Sequence, residues 1–159
     1  MACRYGAANA MKLTDAAWIR FEHVQTTLSS AGAKVVVPVG AYAIAQRLFR
    51  HDPPLSGEIE QAIDVVEEAL DSTGLRYSER GDLQSTDPKL LDILGLRAGD
   101  ILLTCEQVEM QFECLASMTL GQPAARGPTA LSSEGDSMLI ILRECMHHLG
   151  YQGIHRVTG

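Results

Sequence analysis

Aromatic side chains are scarce. Phe, Trp and Tyr together make up 5% of the 159 residues, although 46% of the chain is hydrophobic. A core built from this composition must consist mainly of Leu, Ile, Val, Ala and Met. No apolar run approaches the roughly 20 residues that span a bilayer. The N-terminal stretch MACRYGAANAMK has no apolar h-region of the kind a secretory signal needs. These absences make a cytoplasmic protein the expectation, with no membrane partner. The four cysteines, Cys3, Cys105, Cys114 and Cys145, form no C-x-x-C pair. Cys105 and Cys114 fall nine residues apart on one expected helix, hence on opposite sides of it, and cannot bridge each other. They read as reduced, buried thiols of an intracellular chain.

Catalytic signatures are missing as well. There is no Walker loop, no zinc-ligand spacing and no H-E-x-x-H. VVVPVGAYAIA has the order strand, glycine, helix, but one glycine where a dinucleotide fingerprint has three. Gly40 and Tyr42 within it are the expected ligand contacts if the chain senses a small molecule. The tripeptide Arg80 to Asp82 matches an adhesion motif by coincidence only, since no secretory signal accompanies it. Gly135 to Ser137 lacks the spacing of a nucleophile elbow, and Ser137 reads instead as a cap at a helix start. No stretch is specific enough to assign a family.

One sign of charge is missing over a long segment. From His51 to Leu75 there is no Lys or Arg, but there are seven acids: Asp52, Glu58, Glu60, Asp64, Glu67, Glu68 and Asp71. The net charge of −7 lies wholly here, because the remaining 13 acids and 13 bases cancel. An acidic balance repels phosphate backbones and argues against nucleic acid as a partner.

The periodicity of what is present predicts an α+β fold: a helix-dominated single domain with a few short strands. An all-α bundle is the main alternative and a layered α/β fold the third. Residues 1–12 read as an N-terminal tail, with Met11 as an alternative start, and residues 13–159 as one globular domain. Thr14 to Ser29 reads as a first helix, with Ala17, Phe21, Val24 and Leu28 on one face. Lys34 to Val37 is β-branched and reads as a short strand, followed by a helix from Gly40 to Phe49. A single helix from Pro38 onward is the competing reading. Pro53 and Pro54 break the chain. Ile59, Ala62, Ile63, Val66, Ala69 and Leu70 then mark a strongly amphipathic helix from Ser56, its N-cap, to Asp71. Residues 75–86 read as a turn or short exposed hairpin, and Asp87 to Leu94 as a short helix opened by Asp87 and Pro88. Ile101 to Leu103 is a candidate strand. Thr104 with Gln107 forms a capping box at the start of a helix ending near Leu120. Residues 121–136 form a long Gly, Pro and Ser-rich loop of a length that is often functional. A last helix runs from about Asp136 to Leu149, and GIHRV adds a final strand. A faint echo between residues 55–60 and 103–109 is what any well-capped helix start produces.

The stretch ILRECMHHLG, residues 141–150, carries the densest chemistry. On a helix, Met138, Ile141, Leu142, Cys145 and Leu149 share an apolar arc that Leu139 and Met146 widen. Cys145 is then a buried, unreactive thiol. Glu144 falls off the arc, between His147 and His148. The simplest reading has Glu144 pair with His148 one turn on, while the histidines cap carbonyls at the negative helix end. The chemical reading makes Glu144 and His148, with His155 or Glu109, a metal or acid–base site. Glu144 and His147 match an E-x-x-H step, but a di-iron centre needs a second step that the chain lacks.

With no signature present, the leading expectation is a non-enzymatic regulatory or adaptor module acting through protein contacts. Glu60, Asp64 and Glu67 would meet a basic protein partner. The alternatives are a small enzyme or metal-binding protein using Glu144 and His148, and a small-ligand sensor. No cofactor is expected, and homo-oligomerisation is compatible with every reading.

Overall fold

The computed structural model describes residues 16–90, 102–121 and 132–157. Among them, six strands form one mixed sheet and four helices pack against it. The strands are β1 (Ala17–Phe21), β2 (Thr26–Ser30), β3 (Ala33–Val37), β4 (Leu83–Ser85), β5 (Leu102–Thr104) and β6 (Gly153–Arg156). The helices are α1 (Ala41–Leu48), α2 (Ser56–Ser72), α3 (Cys105–Thr119) and α4 (Ser133–Leu149). The α+β expectation holds. The all-α alternative does not.

Across the sheet the order is β3-β2-β1-β4-β6-β5. The outer pairs β3–β2, β2–β1 and β6–β5 are antiparallel, while β1–β4 and β4–β6 are parallel. Strand order, not chain direction, therefore reverses between β1 and β4. The first three strands wind out to one edge, and the rest wind to the other.

The stretch expected as a first helix is instead the β1–β2 hairpin. Its residues alternate with a period of two. Ala17, Ile19 and Phe21 face the core, and Trp18 and Arg20 face away. In register, Ile19 opposes Leu28, and Arg20 opposes Thr27. Val24, which a helix would have buried, lies in the turn at 67% exposure. The segment expected to be an exposed turn at residues 75–86 ends in β4, a central strand whose Leu83 is fully buried. Asp87 does begin a helical turn, accepting the Lys89 N–H at 3.0 Å. The rest of that expected helix lies outside the described residues, as do the N-terminal tail and most of the loop expected at 121–136.

The other helices stand close to where periodicity puts them. Thr104 and Gln107 form the capping box of α3. Helix α2 starts differently: Leu55 is the N-cap, and Glu58 reaches back to its N–H at 2.8 Å. Helix α4 begins at Ser132, whose hydroxyl accepts the Gly135 N–H. Ser137 is not the cap; it is buried one turn inside and donates to the Ser133 carbonyl. Gly150 closes α4 in the left-handed conformation, φ 86°.

Helix α4 is the centre of the helical layer. Helices α1, α2 and α3 each pack on it, and its Met138, Ile141, Leu142 and Cys145 belong to the same buried core as Ile19, Leu83 and Ile154 of the sheet. It is buried nearly all round, as a helix enclosed by other elements must be. No helix among the described residues is long and apolar enough to cross a membrane.

Candidate functional sites

Two places combine chemistry with concavity or convergence. One lies within the helical layer and the other on the opposite face of the sheet.

Within the helical layer, Glu144 is only 2% exposed. It lies off the apolar arc, yet α2 and α3 close over that side of α4 and bury it. Burial pushes its carboxyl above the usual range, and the charges of Arg143 and His148 oppose that shift. A buried carboxylate must be paired, and this one is paired twice. Arg143 Nη1 donates to Oε1 at 2.6 Å, and His148 Nε2 lies 3.2 Å from Oε2. The expected pair one helical turn apart is therefore present.

The partners have partners of their own. His148 Nε2 is also 3.2 Å from Glu67 Oε1 on α2. Arg143 Nε donates to Glu109 on α3 at 2.8 Å, and its guanidinium lies 4.0 Å over the Phe112 ring. His147 pairs with the same Glu109 carboxylate. Neither histidine caps the helix end as expected. Arg80, from the segment before β4, donates instead to the Leu149 carbonyl at 2.8 Å.

The expected site residues separate. Glu144 and His148 meet, and Glu67 joins them, although its place on the acidic helix suggested a partner-facing role. Glu60 and Asp64 remain exposed on α2. His155 belongs elsewhere. It neighbours the core residue Ile154 on β6, so its side chain takes the opposite face of the sheet, where Nε2 meets Asp82 at 2.9 Å. Gly40 sits in close contact with neighbouring backbone. A Cβ there would collide with the backbone of His23 and Val24. Tyr42 is exposed, with its ring 5.3 Å from that of His23. The groove nearby, about 330 Å³, is lined by Val24, Val39, Ile44 and Leu48 and includes neither residue. Cys145 is fully buried, and burial pushes its thiol up to about 12, so it is inert as expected.

Sequence reasoning missed the second place altogether. On the sheet face away from the helices, a cleft of about 590 Å³ is lined by Trp18 and Arg20 of β1, Thr27 and Ser29 of β2, and Lys34 of β3. Residues 85–89, at the carboxyl end of β4, close its other side. Register explains the convergence. Trp18, Ser29 and Lys34 lie side by side across three strands, and Arg20 and Thr27 form the next rung. Lys89 is held by Glu134 at 2.6 Å, whereas Arg20 and Lys34 form no ion pair among the described residues. Two cations without a direct ion pair among the described residues, several hydroxyls and the Asp87 carboxylate thus surround one concavity. Glu22 lies close enough that, beyond its hydrogen bonds from Gln25 and Thr27, the charges of Lys34 and Arg20 help to lower its carboxyl. The cleft stands where strand order reverses between β1 and β4. Open sheets of this kind bind ligands at such a point, outside the carboxyl ends of their strands. The signal was hidden because each strand contributes only one or two outward residues, and the register that aligns them is not local.

No family model and no curated protein matches the chain. Solved structures do. The Ppx/GppA enzyme of Aquifex aeolicus superposes with a TM-score of 0.67 at 10% identity, over 91% of this chain and 53% of that one. An exopolyphosphatase-like protein gives 0.65 at 14% identity, over 97% and 59%. An exopolyphosphatase from Cytophaga hutchinsonii gives 0.64 at 12% identity, over 95% and 55%. The chain thus spans little more than half the length of each.

This likeness is one of fold, and the structures it joins are described as Ppx/GppA and exopolyphosphatase enzymes or as exopolyphosphatase-like. It overturns the expectation of a non-enzymatic module acting through protein contacts. That expectation rested on missing motifs. At 10–14% identity the likeness is carried by the fold rather than by the sequence.

Proposed function

We propose that the chain is a domain of a phosphohydrolase that takes a polyanionic phosphate substrate, and that the sheet-face cleft holds a phosphate group of that substrate. The observation that carries this reading is the position and lining of the cleft. It pairs Arg20 and Lys34 with the hydroxyls of Thr27, Ser29, Ser85 and Thr86 at the point where strand order reverses. The exopolyphosphatases among the fold's neighbours supply the substrate class: a linear phosphate polymer.

Each kind of residue in the cleft has a role. Arg20 can grip two phosphate oxygens at once through its planar fork, while Lys34 offers a point charge. The hydroxyls of Ser29, Ser85 and Thr86 can donate to further oxygens, while that of Thr27 donates to Glu22 at 3.0 Å and can accept from a protonated one. Phosphoryl transfer asks little covalent chemistry of a protein. It asks for positioning and for positive charge near the oxygens where negative charge accumulates. Asp87 is the carboxylate within the cleft, and the role assigned to it is to orient a water molecule. The acidic balance of the chain does not oppose this assignment, because the surplus acids lie in and just before α2, behind the sheet.

The test is calorimetric titration with inorganic polyphosphate, alongside a phosphate-release assay. The expected result is binding that weakens with salt. Arg20→Ala with Lys34→Ala should lower affinity at least about tenfold, since a hydrogen bond to a charged group contributes ~1.5–3 kcal/mol. Equal affinity of wild type and double variant would overturn the reading.

A further inference from the structure

We infer that Glu67, Glu144 and His148 form a binding site for a divalent transition-metal ion, which ties α2 to α4. The site is separate from the sheet-face cleft and stands whether or not that cleft binds phosphate.

Three donor atoms converge here: one carboxylate oxygen from each glutamate and the imidazole Nε2, all within 4.8 Å of one another. His148 Nε2 lies 3.2 Å from both oxygens. That is longer than the 2.7–2.9 Å usual for a charge-assisted hydrogen bond. One N–H shared between two carboxylates makes two long bonds rather than one short one. The spacing does suit a metal. Around a tetrahedral ion with bonds of ~2.0–2.2 Å, neighbouring donors stand about 3.3–3.6 Å apart. Two carboxylates and one imidazole are a ligand set for Zn²⁺ or Mn²⁺.

The surroundings are arranged as the second layer of a metal site is. Arg143 occupies Oε1 of Glu144 and leaves Oε2 turned to His148. Arg143 is itself fixed by Glu109 and by the Phe112 ring. With neutral histidines, Glu67, Glu144 and Glu109 outweigh Arg143 by two negative charges, which a divalent cation balances. Glu67 and His148 remain 41% and 36% exposed, so an ion has a path in and water can complete its coordination. Both helices are long and well packed, which gives the donors rigid supports.

The experiment is titration of the full chain with Zn²⁺ alone, read by calorimetry and by the melting temperature. The expected result is one ion per chain and a melting temperature raised by several degrees. His148→Ala and Glu67→Gln should each weaken binding at least tenfold and remove the thermal shift. Glu67→Gln is partly exposed and nearly isosteric, so it keeps the test valid if His148→Ala folds poorly. His155→Ala, across the sheet, should bind as wild type does. No Zn²⁺ binding, unchanged affinity in the Glu67 and His148 variants, or equal loss in the His155 variant would each overturn the inference. The last would mark scattered surface binding by histidines.

Discussion

Asp136 sits in the first turn of α4 at 1% exposure, and its Oδ1 has no hydrogen-bond partner among the described residues. Burial, and then the negative charge of Asp52, push its carboxyl up to about 7. An acid with a folded-state pKa above its unfolded value holds its proton more tightly when folded. It costs the fold nothing below about pH 4, costs more as pH rises towards 7, and costs a constant amount above that. Asp136→Asn should therefore stabilise the chain at pH 8 by roughly 1–3 kcal/mol and change little at pH 4. Thermal melts across that range read the effect, and a variant with the wild-type pH dependence would contradict the account. The stretch around Glu144 shows what was legible at this scale. The core thiol Cys145 and the Glu144–His148 pair follow from helical geometry alone. The burial of Glu144 does not, because it depends on α2 and α3, which come from distant parts of the chain. The same is true of Glu67 turning inward.

Gly40 joins β3 to α1, and its backbone lies directly against the hairpin turn at His23 and Val24. The Ala43 N–H donates to the His23 carbonyl there at 3.0 Å, so α1 is pinned to the turn. Gly40→Ala forces these two backbones apart. It should lower stability by about 1–3 kcal/mol, as overpacking does, measured by denaturant unfolding. A variant as stable as wild type would show that the turn yields freely. The glycine was legible in the sequence as a candidate ligand contact, but the close backbone approach it permits was not. Helices α2, α3 and α4 were legible because each carries three or more turns of apolar repeat. The β1–β2 hairpin was not. Ala17, Phe21, Val24 and Leu28 fall at helical spacing by chance, and strands of five residues are too short for their period of two to compete. With that hairpin read as a helix, the outward row of Trp18, Arg20, Thr27 and Ser29 could not be seen as one surface.

The molecule separates its charges. The segment carrying the whole surplus of acid forms α2 and the approach to it, in the helical layer, while Arg20, Lys34 and Lys89 line the far face of the sheet. Net charge alone argued against nucleic acid as a partner; it says nothing of a local anion site, because a fold can put opposite signs on opposite faces. The same separation leaves room for a cation site among the helices and an anion site on the sheet. Titration of isotopically labelled chain with inorganic tripolyphosphate, followed by amide NMR shifts, tests the central claim most directly. The account predicts shifts concentrated at Trp18, Arg20, Thr27, Lys34 and residues 85–89. Shifts confined to the helical layer, or none at millimolar ligand, would contradict it.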